Sequence, residues 1–201
     1  MPVEENERPS LAYKRHGADI RDGVVPAKYT RLVPYIKGEC ALEIGAAEGV
    51  LTLLLARERL VTNAIGLELR PDRHHASLRL QQRWNTLGFD TRRAQLVCGD
   101  ILENFGLLAG VDVLIAVRAI YYMREHAPRV MAAAAAAGVK RIVLCGNRGR
   151  QQQHRQEPRS ELGRFNFLAA IEGMTALLEG AAYRIETTLD HGDPIVVGVR
   201  P

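Results

Sequence analysis

Apolar residues recur along the chain in short blocks separated by polar or periodic stretches. From Pro26 onward, Tyr29, Leu32, Val33 and Ile36 fall at i, i+3, i+4 and i+7, which predicts a helix with one buried face. Residues 40–44 form a short apolar run that reads as a strand, and 50–60 an apolar helix. The alternation continues with a strand over 63–69 and a long helix that starts at Pro71. That helix aligns Ala76, Leu80, Trp84 and Leu87 and ends at Gly88. Strands come next over 94–98, 111–117 and 141–145, with a short helix predicted over 101–108 and a longer one over 122–137, ended by Gly138. Residues 147–163 read as a polar loop, and 164–179 as a helix striped by Phe165, Leu168, Ile171, Thr175 and Leu178. Two strands, 183–189 and 195–200, close the chain around His191-Gly192-Asp193-Pro194.

Strands alternating with helices predict βαβ units and a mostly parallel sheet. Val113-Leu114-Ile115-Ala116-Val117 is uniformly apolar, as a strand covered on both faces requires. The last two strands are joined by a tight turn, so they should pair antiparallel. The expected fold is α/β: a seven-stranded, mostly parallel sheet with a C-terminal antiparallel hairpin and helices on both faces.

Length and composition narrow the classes. The 201 residues suit one domain, expected over 26–201 behind a polar tail or cap over 1–25 that carries Lys14-Arg15-His16. No run approaches the roughly 20 apolar residues of a membrane span. The first residues are polar and acidic, unlike a signal peptide. Cys40, Cys98 and Cys145 form no CxxC pair and sit at predicted strand ends, where they read as small buried apolar residues. A reducing cytoplasm is the expected location. The net charge of +4 hides an imbalance of 23 Arg against 4 Lys. Arginine grips phosphates and carboxylates bidentately, but the Ala132–Ala137 run points to a compositional bias shared by the whole chain.

The chemistry concentrates in Glu43-Ile44-Gly45-Ala46-Ala47-Glu48-Gly49, a strand running through a turn of small residues into a helix. Small residues let backbone approach a ligand, and a helix N-terminus favours an anionic group. Gly45 and Gly49 lack the G-x-G-x-x-G spacing that seats a dinucleotide, which disfavours a nicotinamide-dependent dehydrogenase. A carboxylate at Glu48 would repel pyrophosphate but tolerate an ammonium or sulfonium.

This stretch resembles the first motif of class I S-adenosylmethionine-dependent methyltransferases, E/D-x-G-x-G-x-G, with Ala47 in place of the middle glycine. Ala64-Ile65-Gly66-Leu67-Glu68 resembles the second motif, Leu96-Val97-Cys98-Gly99-Asp100-Ile101 the third, and residues 111–117 the strand that ends at the active site. The resemblance spans about residues 26–200 and implies S-adenosylmethionine as cofactor and S-adenosylhomocysteine as its product. It places Glu43, Gly45, Ala46, Ala47 and Gly49 around the methionine end. Glu68 falls to the ribose, with Leu69 next to it, Asp100 and Ile101 fall to the adenine, and Val117 to the strand end. Methyl transfer from a sulfonium is an in-line displacement, so the protein mainly aligns donor and acceptor.

The acceptor side is read from the segment after Val117. No Asn-Pro-Pro-Tyr type of motif and no Pro-Cys dipeptide is present, which argues against amino-group methylation of adenine or glutamine and against cytosine C5 chemistry. Arg118 and Asn147 stand where catechol-type relatives place magnesium-binding acids, so no metal is expected. Tyr121-Tyr122 is similar to the double tyrosine of nodulation-type N-methyltransferases. Tyr121 and His126 are the catalytic candidates, Arg118 and Tyr122 the substrate-binding ones. Arg118, at a strand end, should meet an anion, either on the substrate or on Glu48 or Asp100. Arg148, Arg150, Arg155 and Arg159 make the 147–163 segment either a lid or anion-binding arm, or a solvated loop. It has no aromatics for base stacking, which favours a small-molecule acceptor over nucleic acid as the partner. The expected function is methyl transfer to N or O of a small molecule. The alternatives are an RNA methyltransferase and a degenerate S-adenosylmethionine-binding module.

Overall fold

The computed structural model describes residues 19–158, 163 and 166–201. Seven strands form one sheet: β1 (Cys40–Ile44), β2 (Asn63–Glu68), β3 (Ala94–Cys98), β4 (Val113–Val117), β5 (Arg141–Cys145), β6 (Arg184–Leu189) and β7 (Ile195–Val199). Their order is β3-β2-β1-β4-β5-β7-β6. Pairs among β1 to β5 are parallel, and β7 inserts antiparallel between β5 and β6. The predicted parallel sheet with its antiparallel closing pair is therefore present. The order in which strands are added reverses between β1 and β4, the kind of switch point at which open α/β sheets place ligand crevices, at the carboxyl edge of those strands.

The helices α1 (Ala27–Thr30), α2 (Val50–Arg57), α3 (Pro71–Thr86), α4 (Ala127–Ala136), α5 (Arg148–Gln156) and α6 (Ile171–Gly180) connect the strands. Alternate residues of β4 feed opposite cores, as the period of a strand demands. Leu114 and Ala116 join Leu42, Met131, Met174 and Leu178 on the α4 and α6 side. Val113 and Ile115 join Leu51, Leu55, Trp84 and Val143 on the α2 and α3 side.

Several predicted boundaries shift for identifiable reasons. The helix from Pro26 is split into α1 and a 3-10 turn over Val33–Tyr35, because Pro34 supplies no N–H; Leu32 and Ile36 are buried nonetheless. The helix expected over 101–108 is a turn followed by a 3-10 segment, Phe105–Leu108. Asp100 Oδ1 accepts from the Leu102 N–H at 2.9 Å and the Asn104 amide donates to the Asp100 carbonyl at 2.7 Å, side-chain bonds that close a turn instead of a helix. Two 3-10 turns, Ile120–Tyr122 and Arg124–His126, replace the first part of the helix predicted from Tyr122. The expected 147–163 loop contains α5, whose N-cap Asn147 accepts from the Arg150 N–H at 3.2 Å. The face of α6 is Met174, Leu177 and Leu178, with Thr175 half-buried. Residues 159–162, 164 and 165, with Arg159 and Phe165 among them, lie outside the described residues, as does Lys14-Arg15-His16.

Residues 19–25 pack on the body of the domain. The fully buried Trp84 donates from Nε1 to the Ile20 carbonyl at 2.8 Å, and Arg57 donates to the Gly23 carbonyl at 2.7 Å. Cys145 is buried and Cys40 half-buried, as expected of strand-end thiols, whereas Cys98 is exposed where β3 runs out to the rim.

Candidate active site at the carboxyl edge of the sheet

The turn after β1 is held by backbone bonds to β2. The N–H groups of Gly45 and Ala46 both donate to the Leu67 carbonyl, at 2.8 and 3.0 Å. Gly45, Ala47 and Gly49 have φ of 71°, 50° and 72°, so left-handed residues alternate through the turn. Glycine adopts that conformation freely; Ala47 does so at a cost of about 1–2 kcal/mol. Space is short as well. A Cβ on Gly45 would lie 2.6 Å from the Ala119 Cβ, so the segment after β4 presses on the turn.

Two buried carboxylates brace it. Glu68 Oε2 accepts from the Ala47 N–H at 2.7 Å and Oε1 from the Arg70 N–H at 2.9 Å. Glu43 lies beneath the turn, where Oε2 accepts from the Thr52 N–H at 3.1 Å and the Thr52 hydroxyl at 2.6 Å, tying β1 to the start of α2. Burial pushes the Glu43 carboxyl up to about 7, against the Thr52 bonds and the charge of Lys28. The folded state therefore holds this proton more tightly than an ordinary carboxyl near 4.5. The stability this contributes is fully present below about pH 4.5 and is lost as the pH rises through about 7. Glu43→Gln is expected to flatten the pH dependence of the melting temperature across that window. An unchanged slope would show that another group carries it.

Because β1 to β4 run parallel, their carboxyl ends share one edge. Gly45 to Gly49, Glu68, Asp100 and Val117 thus lie along one edge of the sheet, with Ile101 buried next to Asp100 and Leu69 exposed next to Glu68. On the far side of β4, Arg118 takes φ 53° and pairs with Asp193 of the β6–β7 turn, its Nε 2.8 Å and its Nη2 2.6 Å from Oδ2. Its anion inside the protein is therefore neither Glu48 nor Asp100. Asp193 also accepts from the Arg148 N–H at 3.2 Å, which docks α5 beside β4. Lys28 of α1 lies within electrostatic reach of Arg118, Asp193 and Glu43, and burial followed by the Arg118 charge lowers its pKa.

The two tyrosines separate in role. Tyr121 is 5% exposed and Tyr122 67%, with ring centroids 4.6 Å apart. Burial, reinforced by Tyr122 and opposed by Arg150, pushes the Tyr121 hydroxyl up to about 12, so it keeps its proton at neutral pH and can serve as a hydrogen-bond donor. His126 faces solvent, with Nε2 3.9 Å from Glu125 Oε1. The sequence pattern missed Asp193, Lys28 and the buried Asn166. Only the turn chemistry of His191-Gly192-Asp193-Pro194 marked any of them. Among the described residues no group of three His, Cys, Asp or Glu side chains is placed to hold a metal ion. No described helix is long and apolar enough to cross a membrane.

No family model matches the sequence. No curated protein matches it. Solved structures do match the fold. A magnesium protoporphyrin IX methyltransferase from Synechocystis PCC 6803 with bound SAH aligns at TM-score 0.65 and 14% identity, over 98% of this chain and 90% of that one. Cofactor-bound Rv0187 from MTB aligns at TM-score 0.65 and 20% identity, over 96% and 90%. A TehB-like SAM-dependent methyltransferase from Corynebacterium glutamicum aligns at TM-score 0.58 and 13% identity, over 94% and 96%. The fold is that of the class I S-adenosylmethionine-dependent methyltransferases.

Proposed function

We propose that the protein transfers the methyl group of S-adenosylmethionine to an N or O atom of a small-molecule acceptor in the cytoplasm. The observation that carries this reading is the left-handed turn Gly45 to Gly49 with the Glu68 carboxylate bonded directly to it at the crevice. Each Glu68 oxygen accepts one backbone N–H and keeps a lone pair, so the carboxylate retains capacity for the two hydroxyls of a ribose. The small residues Gly45, Ala46, Ala47 and Gly49 would hold the methionine end, and Glu43 braces them from below. Leu69, Asp100 and Ile101 would border the adenine, and Val117 would floor the centre. When bound, the cofactor supplies an electrophilic methyl on a sulfonium. The chain's own residues position the acceptor against it: Tyr121 offers a hydroxyl donor from the interior, Tyr122 and Arg118 line the entry, and His126 stands at the rim. Magnesium protoporphyrin methyltransferase as a structural neighbour agrees with a small-molecule acceptor.

An RNA acceptor is less well supported, because many arginines are neutralised within the protein. Arg118 pairs with Asp193, Arg155 with Glu172 and Asp190, Arg141 with Glu186, and Arg92 with Asp90. The test is incubation with methyl-labelled S-adenosylmethionine and separated small-molecule and RNA fractions of a cell extract. Label is expected in the small-molecule fraction. Label in nuclease-sensitive material would select the RNA reading, and donor binding with no transfer the degenerate one.

A further inference from the structure

Arg150 differs from its neighbours in what neutralises it. Arg118 and Arg155 each meet carboxylates. Arg150 has none at ion-pair distance among the described residues, and its guanidinium lies over two aromatic faces, 4.7 Å from the Tyr121 centroid and 5.2 Å from that of Tyr122. Nη1 donates to Asn166 Oδ1 at 3.0 Å, and Nη2 lies 3.5 Å from the Tyr122 hydroxyl. Asn166 is fully buried and is itself held, donating from Nδ2 to Gln153 Oε1 at 3.0 Å. The guanidinium is thus fixed in place by stacking and by a buried, anchored amide, while no carboxylate among the described residues compensates its charge.

Such an arrangement is a preorganised anion receptor, because the ordering cost of a flexible arginine has already been met on folding. Its surroundings describe the rest of the ligand. Tyr122 and Phe167 are large exposed side chains on two 3-10 segments that pack against each other. Aromatic surface beside a fixed cation suits a planar apolar body bearing a negative group. Resting on the methyltransferase reading above, we infer that the acceptor is a carboxylate-bearing planar molecule, its carboxylate on Arg150 and its flat body against Tyr122. Arg150 is then the residue that selects the acceptor, and Asn166 the residue that positions Arg150.

The test uses the full chain saturated with S-adenosylhomocysteine and three probes of one shape: benzoate, benzamide and benzylamine. Benzoate is expected to bind about tenfold or more tightly than benzamide, and benzylamine not to bind, since only the anion forms a charge-assisted pair. Arg150→Ala should remove the benzoate preference with S-adenosylhomocysteine affinity unchanged. Arg150→Lys, which keeps charge but loses the planar fork and the stacking, should retain only part of it. Equal binding of benzoate and benzamide, or preference for benzylamine, overturns the inference while leaving the cofactor reading intact. Failure of the wild-type protein to bind S-adenosylhomocysteine overturns both.

Discussion

Gly45→Val is expected to weaken S-adenosylmethionine and S-adenosylhomocysteine binding by about 2–4 kcal/mol, roughly 30- to 1000-fold, the largest effect of any single substitution in the turn. Two costs combine. At φ 71° an L side chain strains the backbone by about 1–2 kcal/mol, more for a β-branched one. The new Cβ would also lie 2.6 Å from the Ala119 Cβ, so the turn or the segment after β4 must shift. Either shift moves the surface on which the cofactor would rest. Calorimetric titration measures the loss, and circular dichroism shows whether the sheet survives. Ala47→Gly supplies the opposite sign: relief of left-handed strain should leave affinity equal or improved and raise stability by about 1 kcal/mol. Wild-type affinity in Gly45→Val would move the ligand away from this turn.

Glu68→Ala is expected to cost about 1.5–3 kcal/mol of cofactor affinity, through loss of a charged acceptor for the ribose hydroxyls. It should lower the melting temperature too, because the Ala47 and Arg70 N–H groups both lose their acceptor. Glu68→Gln separates the two effects. Its carbonyl can still accept one of these N–H groups, so stability should fall less, whereas affinity still drops with the lost charge. Titration with S-adenosylhomocysteine and thermal melts of both variants read this out. Affinity unchanged in both would assign the carboxylate to bracing the turn alone.

The side of the sheet edge assigned here to the cofactor is legible in sequence because each part lies at the end of one strand. A strand, a turn and a single acid suffice to mark Gly45 to Gly49, Glu68 and Asp100, and parallel pairing then gathers them. The side assigned to the acceptor is not local. Asp193 reaches Arg118 across 75 residues, through the antiparallel insertion of β7, which no motif announces. Helix α5 escaped the hydrophobic pattern because Gln151 is its one buried residue and the helix carries no apolar stripe. Its N-cap, Asn147, was the one local signal of a helix start. Boundaries failed where a proline or a side-chain-capped turn intervened, at Pro34 and at Asp100.

The central claim is that the crevice at the ends of β1, β2 and β4 binds S-adenosylmethionine. Calorimetric titration of the purified full chain with S-adenosylhomocysteine tests it most directly. One site per chain with micromolar affinity, weakened in Glu68→Ala, is the predicted result. Absence of binding, or binding indifferent to both Gly45→Val and Glu68→Ala, would contradict it.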